Sequence, residues 1–144
     1  MILDQDGNCL SGCPSSDMYY DSSTRQCLQC SSACYSCNGP LSSNCISCLP
    51  PLQLYQGTCL SGCPFGHYST TSYICQPCNS NCADCANSST NCTVCQEGTF
   101  LHFNNNGLSV CTIECGSGFY PDLTASICQN CNSSCLNCSG PSSS

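Results

Sequence analysis

Cys75-Gln76-Pro77-Cys78-Asn79-Ser80-Asn81-Cys82-Ala83-Asp84-Cys85 packs four cysteines into a C-x-x-C-x-x-x-C-x-x-C block. The same block recurs at Cys27, Cys30, Cys34, Cys37 and at Cys128, Cys131, Cys135, Cys138. Upstream of each lies a C-x-x-x-C pair: Cys9/Cys13 before Pro14, Cys59/Cys63 before Pro64, and Cys111/Cys115 before Gly116. The first two segments close with a further C-x-x-C, at Cys45/Cys48 and Cys92/Cys95, and the third reaches Ser144 without one. Self-similarity at a fixed spacing of this size is the mark of a repeat architecture. It divides the chain into three repeats, 1–48, 49–95 and 96–144.

Gly140-Pro141-Ser142-Ser143 matches Gly39-Pro40-Leu41-Ser42, the approach to Cys45, and Met1 to Asn8 matches Pro51 to Thr58, which follows Cys48. Both ends therefore read as cuts inside a repeat of a longer tandem array. That reading accounts for the lack of a signal peptide, because Met1-Ile2-Leu3 runs straight into Asp4 and Asp6. No apolar run is long enough to span a bilayer.

Composition narrows the possibilities further. The chain has 144 residues and 22 cysteines, about 15% and far above the ~8–10% of a disulfide scaffold. Leu, Ile, Val and Phe make up only about 16% of the chain, too little apolar surface to offset ordering entropy. An ordinary globular enzyme core is excluded, so the chain is disordered, metal-filled or cross-linked. Arg25 is the one basic residue against eight acids, for a net charge of −7. Nucleic-acid binding and a basic membrane patch both need cations that are absent. The acids are scattered and serve solvation. An even cysteine count with little core points to an oxidising, extracellular compartment. Aromatics after the C-P turn predict short β-hairpins at Met18-Tyr19-Tyr20, Tyr68 and Phe119-Tyr120. Strand-like runs follow at Leu52–Tyr55 and Phe100–Phe103.

The order C-x-x-x-C-P, aromatic, C-x-x-C-x-x-x-C-x-x-C, Gly-Pro loop, N-C-x-x-C resembles furin-like repeats and the cysteine-rich domains of growth-factor receptors. It is also similar to cysteine-rich surface and secreted proteins of protists, including variant surface proteins and large ciliate proteins. The resemblance implies a small disulfide-rich fold: an elongated rod of tandem cysteine-knot-like modules with short β-hairpins and almost no helix. It also implies a pairing that spacing alone leaves open, since six cysteines already allow 15 connectivities. The implied bridges are Cys13–Cys27, Cys30–Cys37, Cys34–Cys45 and Cys48–Cys59, then Cys63–Cys75, Cys78–Cys85, Cys82–Cys92 and Cys95–Cys111. In the third repeat they are Cys115–Cys128 and Cys131–Cys138. Cys9 and Cys135 are left unpaired or for a bridge between chains. Gly116 departs from the family proline.

The cysteines have a second reading. Cys75/Cys78 and Cys92/Cys95 are separated as in a four-cysteine zinc ribbon, and so are Cys27/Cys30 and Cys45/Cys48. The C-x-x-x-C-P pair and the middle of each block have no role in such a site, so no metal and no cofactor is expected. A redox C-x-x-C needs a cation or helix N-terminus to lower its thiol pKa, and neither is visible. His67 and His102 read as structural or exposed. Asp4-Gln5-Asp6-Gly7-Asn8 loosely resembles a calcium loop but reads better as a hairpin turn before Cys9. Four N-x-S/T acceptors occur, at Asn87, Asn91, Asn132 and Asn137. Asn87 is the favoured one, in an exposed cysteine loop, while Asn91 and Asn137 precede cysteines expected to be bridged, which hinders modification. Phe100–Phe103 with the inserted Asn104-Asn105-Asn106-Gly107 is the one asymmetric feature, and it reads as packing on its neighbour.

These readings together predict a non-enzymatic extracellular structural or adhesive protein, a disulfide-stapled rod in a surface coat, stalk or fibre. Its partners are further repeats or copies of itself, with N-linked glycans. The alternatives are a spacer or ligand-binding segment of a receptor, and a zinc-binding C-x-x-C protein.

Overall fold

The computed structural model describes residues 2–3, 9–10, 12–104 and 106–141, with side chains from residue 12 onward. The Asp4–Asn8 turn and the Cys9 side chain lie outside the described residues. Within them there are sixteen short strands and no helix. Twelve strands form two-stranded sheets: β1 (Ile2–Leu3) with β2 (Cys9–Leu10), β3 (Met18–Asp21) with β4 (Gln26–Gln29), and β5 (Cys34–Cys37) with β6 (Cys45–Cys48). The others are β7 (Gln53–Tyr55) with β8 (Thr58–Leu60), β9 (His67–Ser69) with β10 (Cys75–Pro77), and β11 (Cys82–Cys85) with β12 (Cys92–Cys95). The last four, β13 (Phe100–Phe103), β14 (Ser109–Thr112), β15 (Phe119–Asp122) and β16 (Ile127–Asn130), make one sheet ordered β14-β13-β16-β15.

Each repeat builds its strands the same way. The C-P (or Cys115-Gly116) corner closes a tight turn, with Met18 N–H on Ser15 O, His67 N–H on Pro64 O and Phe119 N–H on Gly116 O. Gly116 has φ +77°, so the third repeat trades the rigid proline corner for a left-handed glycine. The aromatic strand follows and pairs with the strand entering the cysteine block, as in Met18↔Gln29 and Phe119↔Asn130. The block then turns on Cys34 N–H to Ser31 O, Cys82 N–H to Asn79 O and Cys135 N–H to Asn132 O. In the first two repeats its last four residues become β5 and β11, which pair with the closing C-x-x-C strands β6 and β12. A bulge interrupts each ladder. Residues 135–138 form no strand.

The described chain falls into two compact units, 1–63 with 71–75 and 64–70 with 76–144. The division cuts through the second repeat rather than between repeats. In the first unit, the β7–β8 hairpin packs on β6 and is tied to it by Cys48–Cys59. Its Leu54 N–H donates to Tyr73 O at 2.7 Å, and Leu54 forms a parallel bridge with Ile74. The second unit repeats the device. Leu101 N–H donates to Ser126 O at 2.9 Å and Leu101 bridges Ile127 in parallel, which merges two hairpins into the four-stranded sheet. Tyr73 (φ 58°) and Ser126 (φ 55°) are both left-handed, as is Arg25 (φ 57°), and each stands two residues before the first cysteine of its block. Non-glycine residues rarely hold this conformation. At Tyr73 and Ser126 it stands where a carbonyl meets the hairpin of the preceding segment.

Of the nine buried hydrophobic side chains among the described residues, eight are cysteines and the ninth is Tyr120. One core cluster is Cys34, Cys37 and Cys45, flanked by Tyr19 and Leu54. The other is Cys82, Cys85 and Cys92, flanked by Tyr68 and Leu101. Among the described residues no side chain is fully buried, so sulfur rather than aliphatic packing forms the interior.

Candidate functional site

Ten disulfides organise the described chain. They join Cys13–Cys27, Cys30–Cys37, Cys34–Cys45 and Cys48–Cys59 in the first unit. Cys63–Cys75, Cys78–Cys85, Cys82–Cys92 and Cys95–Cys111 follow. Cys115–Cys128 and Cys131–Cys138 complete the set. Their Cα–Cα distances of 5.1–5.7 Å lie in the ordinary disulfide range. The bridge is diagonal to the strand register. Cys34 faces Cys48 across β5–β6 but bonds Cys45, and Cys82 faces Cys95 but bonds Cys92. The four cysteines of the zinc-ribbon spacing, Cys75, Cys78, Cys92 and Cys95, are each bonded to another sulfur. A disulfide sulfur is not a thiolate, and thiolates are what bind zinc. Cys135, the counterpart of Cys34 and Cys82, is a half-buried free thiol.

Polar groups fasten each closing C-x-x-C strand to the hairpin that follows it. In the first unit Cys45 N–H donates to Gly57 O at 2.8 Å. A Cβ on Gly57 would strike the Ser43 carbonyl oxygen, and its φ is +79°, so only glycine suits the position. In the second unit Asn91 performs the fastening. Its Nδ2 donates to Ala86 O at 3.0 Å, and its Oδ1 accepts from Ser109 N–H at 3.2 Å and Ser109 Oγ–H at 3.0 Å. The Ser109 hydroxyl also lies 2.5 Å from Cys92 O and is the buried polar side chain here. Asn91 is thus both an N-x-T acceptor of the sequence and an internal fastener of the fold. The Ser109 contact carries no local sequence signal, because its partner stands 18 residues away.

The other candidates are separate from these fasteners and from one another. Asn87 is exposed at a left-handed turn (φ 65°). Asn132 is exposed and accepts from Ser134 N–H at 3.2 Å, and Asn137 is exposed. His67 Nδ1 lies 3.4 Å from Phe65 O. His102 sits edge-on to Phe119, with ring centroids 4.6 Å apart and planes at 84°, and its buried Nδ1 has no hydrogen-bond partner among the described residues. In the run Phe100–Phe103, Leu101 packs on the second cysteine cluster while Phe103 is exposed. Asp21 closes the β3–β4 turn. Hydrogen bonds from the Ser23 hydroxyl, the Ser23 N–H and the Thr24 hydroxyl hold its carboxyl below the ordinary aspartate value. An open groove of about 430 Å³ is lined by Asp17, Gln29, Ser31, Ser32, Tyr35 and Leu49, with Asp17 as its only charged group. Among the described residues, no three His, Cys, Asp or Glu side chains are placed to hold a metal ion.

The repeated corner, hairpin and bridged cysteine block define a class, disulfide-bonded cysteine-rich repeats, and the chain's homologues are furin-like repeats of this kind. It is 40% identical over 134 residues to furin-like protease 2 of Drosophila melanogaster, covering 92% of this chain and 8% of that protein. It is 38% identical over 137 residues to the extracellular matrix organizing protein FRAS1 of Homo sapiens, covering 93% of this chain and 3% of that protein. It is 36% identical over 160 residues to cysteine repeat modular protein 2 of Tetrahymena thermophila, covering 92% and 8%. The chain thus spans less than a tenth of the length of these three relatives. No family model matches it.

Proposed function

We propose that the chain is a non-enzymatic extracellular structural element, a disulfide-stapled spacer or adhesive rod within a coat, stalk or fibre. The observation that carries this reading is the coupling device used twice. A closing C-x-x-C strand is bonded to the next hairpin by one disulfide (Cys48–Cys59, Cys95–Cys111), and that hairpin bridges the following strand through Leu54·Ile74 or Leu101·Ile127. Such nearest-neighbour coupling propagates along a chain without needing a common core. Further support comes from the relative named an extracellular matrix organizing protein and from sulfur-centred cores that suit an oxidising compartment. Partners on this reading are further repeats or other copies of the chain.

Small-angle scattering and electron microscopy of the oxidised chain test the proposal. Thin particles much longer than a compact 144-residue globule are the expected result, and compact globules overturn it. Alkylation without reduction is the companion measurement. The bridged cysteines stay unlabelled if the sulfur framework forms in the native protein, and labelling of most cysteines overturns the extracellular reading.

A further inference from the structure

The acceptors at Asn87 and Asn91 lie four residues apart on one loop, and the fold treats them oppositely. We propose that Asn87 carries an N-linked glycan and that Asn91 stays bare. Transfer forms a bond between Asn Nδ2 and the anomeric carbon of a sugar. It breaks that carbon's bond to the diphosphate of a lipid-linked oligosaccharide donor and releases one Nδ2 proton.

The acceptor must present Nδ2 to bulk solvent with space for a sugar ring. Asn87 meets both needs. It is exposed, its φ of 65° places it in a tight turn closed by Ser88 N–H on Ala86 O, and among the described residues its side chain makes no hydrogen bond. Asn91 meets neither. Its Nδ2 is spent on Ala86 O, its Oδ1 holds both polar groups of Ser109, and it precedes the buried, bridged Cys92. A sugar on Nδ2 would crowd a half-buried amide held at both ends and strain its contacts with Ala86 O and Ser109. The sequence already favours Asn87, because Asn91 runs directly into a bridged cysteine, and the hydrogen-bonding state of the amide supplies a second, independent reason. A glycan at Asn87 would add a hydrated, protease-blocking group to a surface with few charges.

The inference rests on passage through a secretory pathway, so the experiment separates the two questions. The full chain is expressed behind a secretion leader in eukaryotic cells. Its glycans are then released by an amidase in heavy-oxygen water, which labels each position that carried one. The expected result is a label at position 87 and none at position 91. Asn87→Gln should lose one glycan's mass on a gel, and Asn91→Gln should leave the glycan mass unchanged. An unlabelled position 87, or a labelled position 91, overturns the proposal whatever the native location. Failure of the secretory reading shows separately, as alkylation without reduction of most of the twenty bridged cysteines in the native-source protein.

Discussion

In the first compact unit the closing C-x-x-C strand meets the next hairpin backbone to backbone, through Cys45 N–H and Gly57 O. In the second the contact is made by side chains, with Asn91 and Ser109 bonded to each other and Ser109 to Cys92 O. The sulfur framework is the same in both, Cys34–Cys45 with Cys48–Cys59 against Cys82–Cys92 with Cys95–Cys111. Hairpin length explains the difference. The β7–β8 connection is the two-residue turn Gln56-Gly57, both at positive φ, as a tight hairpin with right-handed twist requires. That turn is short enough for its own carbonyl to reach Cys45. The β13–β14 connection runs from 104 to 108 and folds on itself, with Asn106 and Leu108 N–H both on Asn104 Oδ1. Its backbone is occupied, so a side chain bridges the gap. Repeats that agree in every sulfur can therefore differ in how their polar groups are satisfied.

The largest effect should come from the disulfide common to both junctions. Replacing Cys95 and Cys111 together by serine frees a loop with a sequence separation of 16, and Cys48 with Cys59 one of 11. Each should cost about 3 kcal/mol, nearly equal because loop entropy grows only with the logarithm of length. Denaturant unfolding of the otherwise oxidised chain checks this, and a large inequality would show that the two junctions differ in more than their polar contacts.

A middle-sized effect separates the two turns. Gly57→Ala should cost about 2–3 kcal/mol, from left-handed strain plus collision with the Ser43 carbonyl. Gly107→Ala, also at positive φ but with open space around it, should cost about 1 kcal/mol. Equal costs would remove the backbone contact as the reason for glycine at position 57.

The smallest difference concerns the two equivalent asparagines. Asn91→Ala removes three part-buried hydrogen bonds and should cost about 1–2 kcal/mol, seen as faster amide exchange at Ser109. Asn44 bonds only within its own loop, through Leu41 N–H to Oδ1, so Asn44→Ala should cost about 0.5–1 kcal/mol. A larger loss at Asn44 would reverse the comparison.

Much of the fold was legible before any coordinates. Aromatics behind a C-P corner placed strands at Met18–Tyr20, Tyr68 and Phe119–Tyr120, because alternation and turn residues are local signals. The runs at Leu52–Tyr55 and Phe100–Phe103 likewise contain β7 and β13. Less legible was the C-x-x-C segment itself as a strand, since Cys34–Cys37 and Cys45–Cys48 carry no β-branched run apart from Ile46. The parallel bridges of Leu54 with Ile74 and Leu101 with Ile127 were not legible at all, nor was the use of Tyr73 in a left-handed conformation.

By itself the amino-acid order determined the period, the sulfur-rich interior and the absence of an aliphatic core, because counts and spacings suffice for these. It also named four glycan acceptors and favoured Asn87 among them, since Asn91 and Asn137 precede cysteines of the repeat. Only the tertiary structure decided that the compact units cut across the repeats and that Asn91 is spent on Ser109. The physical reason is that a hydrogen bond or a strand bridge depends on which distant backbone arrives within 3 Å. Cysteine spacing restricts that arrival without specifying it.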